Sequence, residues 1–176
     1  KIWDKETLLN IGELCRKHHV TVISDEIHCD LTVCGKDYVP FASVSDSCRE
    51  NSITCIAPTK AFNLAGLQTA AILVPDKTLR HKVWRGINTD EVAEPNCFAV
   101  ESVIAAYTHG EEWLDALRSY LDENRKIAKD FFEKNLPTLH LIPSEATYLL
   151  WIDCRKTGLS SDALCDFIRK KTGLYL

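Results

Sequence analysis

Methionine is absent from this chain of 176 residues, which begins with Lys1 and stops on the apolar run Leu174-Tyr175-Leu176. That pattern reads as an internal piece of a longer polypeptide. No apolar stretch approaches the roughly 18 to 20 residues of a membrane-spanning helix, so no membrane role is implied. Positive charge is not in excess. With 21 Lys and Arg against 25 Asp and Glu, the net charge is -4, and the chain lacks the basic stripe of a nucleic-acid-binding surface. Paired CxxC spacings are also missing. The eight cysteines (Cys15, Cys29, Cys34, Cys48, Cys55, Cys97, Cys154 and Cys165) are scattered, several in apolar surroundings such as Thr54-Cys55-Ile56. They read as reduced core thiols of a cytoplasmic protein rather than a disulfide framework. A zinc site built from His28, Cys29 and Cys34 lacks the paired short spacings that structural zinc uses. There is no internal repeat and no low-complexity tract. What remains, 45% hydrophobic and 26% charged residues, is the composition of a soluble globular protein long enough to bury a core and suited to small-molecule chemistry.

The apolar pattern alternates between two periods. Leu8, Ile11, Leu14 and Cys15 recur at helical spacing, which predicts a helix over residues 7–15 with His18 and His19 at its C-terminal end, where positive charge suits the helix dipole. A strand follows over 20–24. Residues 31–40, with Gly35 and Pro40, read as a hairpin or loop, and a short helix is expected over 41–49. Further strands are expected over 53–56 and, as a buried run, over 69–74. A helix over 76–85 leads into a connection over 86–95. Helices over 96–107 and 111–135 meet at His109-Gly110. The second of these would be about 37 Å long at 1.5 Å per residue, with Trp113, Leu117, Tyr120, Leu121, Ala128, Phe131 and Phe132 forming an apolar stripe that reads as packing. A strand over 146–152 and a helix over 160–170, capped by Ser160 or Ser161, with Leu164, Phe167 and Ile168 inward, close the chain. This order is that of an α/β protein with a second, smaller domain, and we expect residues 1–90 in the first and 91–176 in the second.

Two motifs stand at strand ends. Val20 to Ile23 runs into Ser24-Asp25-Glu26-Ile27-His28, and Ile53 to Ile56 runs into Ala57-Pro58-Thr59-Lys60-Ala61-Phe62-Asn63-Leu64-Ala65-Gly66. Open α/β sheets bind ligands at the ends of such strands, so Asp25 and Lys60 can face one ligand. A lysine and a carboxylate so placed are what pyridoxal 5'-phosphate (PLP) chemistry needs. The amine holds the cofactor's aldehyde and later moves the substrate's α-proton, and the carboxylate keeps the pyridine nitrogen protonated. Asp25 also has a reading as a turn cap, and Glu26 as an ordinary surface carboxylate.

The segments Ser24-Asp25-Glu26-Ile27-His28 and Thr59-Lys60-Ala61-Phe62-Asn63-Leu64-Ala65-Gly66-Leu67-Gln68-Thr69, supported by Tyr107-Thr108-His109-Gly110-Glu111-Glu112-Trp113-Leu114, resemble the fold type I aminotransferase superfamily. Within it they are most similar to the MalY/PatB-type cystathionine β-lyases, which are carbon-sulfur lyases. The resemblance runs over nearly the whole chain. It implies a PLP-dependent transferase fold type I. The chain would hold part of the large doubly wound domain and most of the small α+β domain. It implies Lys60 as the catalytic, cofactor-holding lysine, Asp25 at the pyridine nitrogen, His28 at the phenolic oxygen, Thr59 as the cofactor-binding hydroxyl residue just before the lysine, and Gln68 near the phosphate. It further implies a homodimer acting on an amino-acid substrate, by α,β-elimination of a cysteine conjugate to thiol, pyruvate and ammonia. An aminotransferase with the same residues, or a regulatory protein retaining the fold, are the alternatives. Two places depart from the superfamily's usual pattern: Ala57 and Gln68 stand where a phosphate-binding serine and arginine are common. The glycine-rich phosphate turn would lie upstream of Lys1 and the carboxylate-binding arginine beyond Leu176, so the chain alone is expected to be inactive. Exposed apolar surface is expected as a result.

Overall fold

Asp4 starts the first helix. In the computed structural model, which describes all residues from Lys1 to Leu176, its carboxylate accepts the Thr7 N–H at 2.8 Å and so satisfies one of the free donors at the start of α1 (Lys5–Lys17). Arg16 and Lys17 fill the last turn, on the side the dipole favours. His19 then takes a left-handed φ of 55°, and the Val20 N–H bonds back to the Cys15 carbonyl at 2.8 Å. This closing turn uses Val20, so strand β1 spans Val22–Asp25 and starts two residues later than the apolar run suggests.

Gly12 sets how closely α1 can pack. A Cβ there would collide with the Cys48 sulfur of α2 (Asp46–Glu50). Leu8, Phe41, Val44 and Cys48 form the buried cluster, with Leu9, Val22 and Val39 against it. Full burial of a large apolar side chain such as Phe41 contributes about 1.5–3 kcal/mol. The single helix expected over 41–49 is two pieces, a 3-10 turn at Phe41–Ser43 and then α2. Ser45 separates them because it is extended and caps α2 by accepting the Cys48 N–H at 3.1 Å.

β2 (Ser52–Ile56) pairs parallel to β1 in the register Val22↔Ser52 to Asp25↔Cys55. β3 (Ala71–Leu73) pairs antiparallel to β2, with Ala71 opposite Ile56, and the sheet order is β1-β2-β3. β3 is shorter than the expected 69–74 run and is not buried, since Ile72 and Leu73 are 41% and 48% exposed. It is the outer strand, and the left-handed Gln68 (φ 46°) just before Thr69 delays its entry into the sheet.

Asp76 caps α3 (Lys77–Thr89), which continues through Gly86 past the expected stop at Arg85. The side chains of Asn88 and Thr89 bond back to the Trp84 and Arg85 carbonyls, both at 2.8 Å, and hold that last turn. α4 (Ala99–His109) and α5 (Glu111–Asn135) meet at Gly110 as the sequence indicates.

The chain forms two compact units: Lys1–Ser119 with Glu145–Thr147, and Tyr120–Ser144 with Tyr148–Leu176. The loop over 31–40 belongs to the first and is no hairpin. Residues 145–147 clip onto it: Thr32 bridges Ala146, the Val33 N–H donates to the Glu145 carbonyl at 3.0 Å, and the Thr147 N–H donates to the Leu31 carbonyl at 2.6 Å. Arg118 of α5 donates to both the carbonyl and the hydroxyl of Thr32. In the second unit β4 (His140–Ile142) pairs antiparallel with β5 (Trp151–Asp153). β4 escaped the sequence reading, and β5 starts well after residue 146 because 145–147 serve the first unit. α6 (Ser161–Thr172) is capped by Ser160 and closed by the left-handed Gly173.

Apolar side chains are exposed over much of the chain, as the sequence leads one to expect. In the α5 stripe, Trp113, Tyr120 and Phe131 are 54%, 61% and 54% exposed, and Phe167 of α6 is 54% exposed rather than inward. No helix is long and apolar enough to cross a membrane.

Candidate active site

The mixed sheet gathers the candidate residues on one edge. β1 and β2 run parallel and end there at Asp25 and Ile56, and β3, being antiparallel, begins there. Asp25, His28, Thr59, Lys60 and Gln68 therefore all belong to segments leaving or entering the same edge.

Each is held differently. Asp25 is the exposed last residue of β1, and its Oδ1 accepts the Ile27 N–H at 3.3 Å, so the turn-capping reading is realised without removing the carboxylate from solvent. His28 is half-buried, and its carbonyl accepts the Leu31 N–H at 3.0 Å. Thr59 is 9% exposed and accepts the Leu64 N–H at 3.1 Å through its carbonyl. Lys60 is exposed although Pro58, Thr59 and Ala61 around it are buried. Gln68 is exposed and left-handed, after a 3-10 turn at Ala65–Leu67.

The recesses divide these residues. Asp25 opens on a cavity of about 240 Å³ lined by Trp3, Ile11, Val22 and Tyr38 among others. Gln68 opens on another of about 350 Å³, with Ile56, Pro58, Val103 and Tyr107. Lys60 lines neither. The larger cleft of about 850 Å³ in the second unit, between the end of α5 and β4, carries none of the candidates.

Glu26 is not the surface carboxylate the sequence suggests, being only 4% exposed. Its Oε1 accepts the Ser24 hydroxyl at 2.9 Å and the Phe41 N–H at 3.1 Å, and its own N–H donates to the Cys55 carbonyl at 2.8 Å. It thus ties the end of β1 to β2 and to the 3-10 turn. The usable signal was the hydroxyl two residues before it, a partner within local reach.

Around β1's end burial and nearby carboxylates together disfavour anions. Burial pushes the Cys29 thiol up to about 12, with the charges of Asp30 and Glu26 adding to it. Burial, then Asp30 and Cys29, pushes Tyr107 up to about 12. Tyr38 is raised in the same way by burial and then Glu26. These shifts put burial first, which opposes any charge, with the nearby carboxylates further disfavouring an anion. They also carry a pH consequence. An unfolded cysteine loses its proton near pH 9.0 and folded Cys29 only near 12, so the unfolded state binds fewer protons over that window and stability declines as pH rises through it. Urea midpoints at pH 8 and pH 10.5 check this. The midpoint is expected to be lower at pH 10.5, with Cys29 alkylated more slowly than the exposed Cys34 and Cys97 at pH 8.

The lysine turn is gripped from outside. Trp113 at the start of α5 donates its indole N–H to the Ala61 carbonyl at 3.1 Å, and the Phe62 ring meets Tyr107 of α4 edge-on at 5.8 Å. The sequence reading had placed Trp113 in a packing stripe.

The family model described as aminotransferase class I and II matches residues 1–176. Cystathionine β-lyase PatB of Bacillus subtilis is 43% identical over 174 residues, covering 99% of this chain and 45% of that protein. Among solved structures, cystalysin from Treponema denticola, which contains a pyridoxal 5'-phosphate cofactor, superposes with a TM-score of 0.95 at 29% identity, over 99% of this chain and 44% of that one. The PLP-bound C-S lyase from Staphylococcus hominis gives 0.88 at 35% identity, over 99% and 44%. The chain thus spans about 45% of the length of the curated relative described here.

Proposed function

The chain belongs to the class I and II aminotransferase family, and on that premise we propose that the whole protein is a PLP-dependent carbon-sulfur β-lyase, cleaving a cysteine conjugate such as cystathionine to thiol, pyruvate and ammonia. The observation that carries this reading is the shared edge, with Asp25 and Lys60 following the ends of two adjacent parallel strands. The donor set fits the cofactor. An exposed lysine amine is available to its aldehyde, and an exposed carboxylate at the end of β1 suits a protonated ring nitrogen. His28 would hold the phenolic oxygen, and Thr59 and Gln68 the phosphate. Gln68 donates hydrogen bonds there without the charge that arginine would bring.

Bound PLP supplies an electron sink for the electrons left at the substrate's α-carbon. Lys60 would hold the cofactor through its Nζ, and the same amine, when free, would take the α-proton of the substrate. Asp25 would keep the ring nitrogen protonated, and the buried Glu26 holds the end of β1 that carries Asp25 in place. Expulsion of the β-thiolate distinguishes this reading from transamination, which uses the same residues and is the second reading because the family takes its name from that activity.

We further propose that residues 1–90 complete a large cofactor-binding domain and 91–176 a smaller one, that the whole protein is a homodimer, and that it works in the cytoplasm, where cysteines outside any disulfide persist. Borohydride reduction of the full-length native protein, followed by peptide mapping, tests the cofactor role: a pyridoxyl group on Lys60 is expected, and its absence from folded protein supplied with PLP sinks the reading. Pyruvate released together with a free thiol, with no keto-acid acceptor present, then separates elimination from transamination.

A further inference from the structure

Lys60 is exposed, but the backbone that carries it is fixed by a helix corner far away in sequence. Ala61 is fully buried, and its carbonyl receives the indole N–H of Trp113, fifty-two positions on, at 3.1 Å. Phe62 packs edge-on against Tyr107. Gly110, between α4 and α5, leaves no room for a Cβ, which would collide with the Phe62 ring and the Ala106 carbonyl oxygen. Within the turn, the Phe62 N–H donates to the Pro58 carbonyl at 2.9 Å. On the other side of the corner, the Gly110 N–H donates to Ala106 and the Leu114 N–H to Gly110, both at 2.9 Å. The corner is therefore continuous helix-type bonding pressed against the lysine turn.

From this geometry we propose that Trp113 and Gly110 are positioning residues for Lys60 in the reaction proposed above, an inference that rests on that reading. Trp113 is 54% exposed, so its ring fills little of the core, and its polar end makes the specific contact. A lysine amine rides on a flexible four-carbon stem, and its reach is defined only if its Cα is. A displacement of about 1 Å at a reacting group can cost about a hundredfold in rate. The indole bond fixes the Ala61–Phe62 peptide, one residue past Lys60, and the glycine lets the aromatic wedge of Phe62 seat beside it. The sequence Gly110-Glu111-Glu112-Trp113 thereby acquires a role in the site without touching a substrate.

The test uses the full-length protein with Trp113→Phe, which keeps a ring and removes the N–H, beside Trp151→Phe, a change at a residue 77% exposed in β5. In the cofactor-free form, amide exchange over residues 57–68 is expected to accelerate up to about tenfold in Trp113→Phe, as loss of one hydrogen bond allows, and to be unchanged in Trp151→Phe. In the loaded enzyme, kcat per bound cofactor is expected to fall about ten- to a hundredfold with KM within about twofold. Unchanged exchange over 57–68, or an unchanged kcat per bound cofactor, overturns the proposal. The pyridoxyl label separates the two levels: with Lys60 labelled in the parent protein, a failed variant test removes only the positioning role, whereas an unlabelled Lys60 removes the functional reading and this role with it. Gly110→Ala should give the same pattern more severely, and Trp113→Phe keeps the test decisive if that variant does not fold.

Discussion

Lys60→Ala in the full-length protein is expected to lower turnover by about a thousandfold or more, because the proposed function gives Lys60 both the covalent hold on the cofactor and the base that moves the α-proton. The fold should tolerate the change. Lys60 is exposed while Pro58, Thr59 and Ala61 carry the packing of the turn, and surface substitutions clear of such contacts stay within about 0.5 kcal/mol. Far-UV circular dichroism and the denaturation midpoint should match those of the parent. Lys60→Arg should be equally inactive, since a guanidinium keeps the charge but is neither a free amine nor a base at neutral pH. Turnover within about tenfold of the parent in either variant would remove Lys60 from the chemistry.

Asp25→Asn is the second large effect, about a hundred- to a thousandfold in kcat, the range seen when one preorganised electrostatic partner is removed. The amide can still accept the Ile27 N–H that Asp25 receives at 3.3 Å, so the turn that closes β1 survives and the loss isolates the charge. On the proposed function, loss of the carboxylate would leave the cofactor's ring nitrogen without the partner that favours its protonation, and the electron sink would weaken. Steady-state assay with parallel visible spectra of the bound cofactor checks this. Full activity in Asp25→Asn would mean that Asp25 serves only as a turn cap.

The edge itself could be read from the residues, because each apolar run leads within four residues to a charged side chain and open sheets bind ligands at such strand ends. The places of Asp25 and Lys60 on that edge were legible for that reason, and the meeting of α4 and α5 at Gly110 was legible from the helical patterns on either side of it. Glu26 was not, since burial of a carboxylate depends on the Ser24 hydroxyl and on Phe41, fifteen residues away. Gly86 reads as a helix stop because glycine costs about 1 kcal/mol in a helix interior, but Asn88 and Thr89 bond back to the preceding turn and carry α3 past it. β4 is three residues long, too few for any period to register. The strand expected at residue 146 was displaced by a tertiary demand, since residues 145–147 pair with the loop at 31–33. The same limit hid Trp113. Periodicity assigns a face to an aromatic ring but does not reveal which carbonyl its N–H will find.

That clip at residues 145–147 bears on the order of events at the ribosome. The helices and sheet of the first unit are synthesised by Ser119, yet the Leu31 carbonyl and the Val33 N–H wait for partners at Thr147 and Glu145. At about 5–20 residues per second, the intervening stretch takes a few seconds to make. Through that interval the segment just beyond β1 has its backbone unsealed, with Arg118 the earlier of its two partners to emerge. The last contact of the first unit is thus supplied by a later part of the chain, and a nascent polypeptide halted after Ser119 would present that loop to chaperones and proteases in a form the finished protein does not.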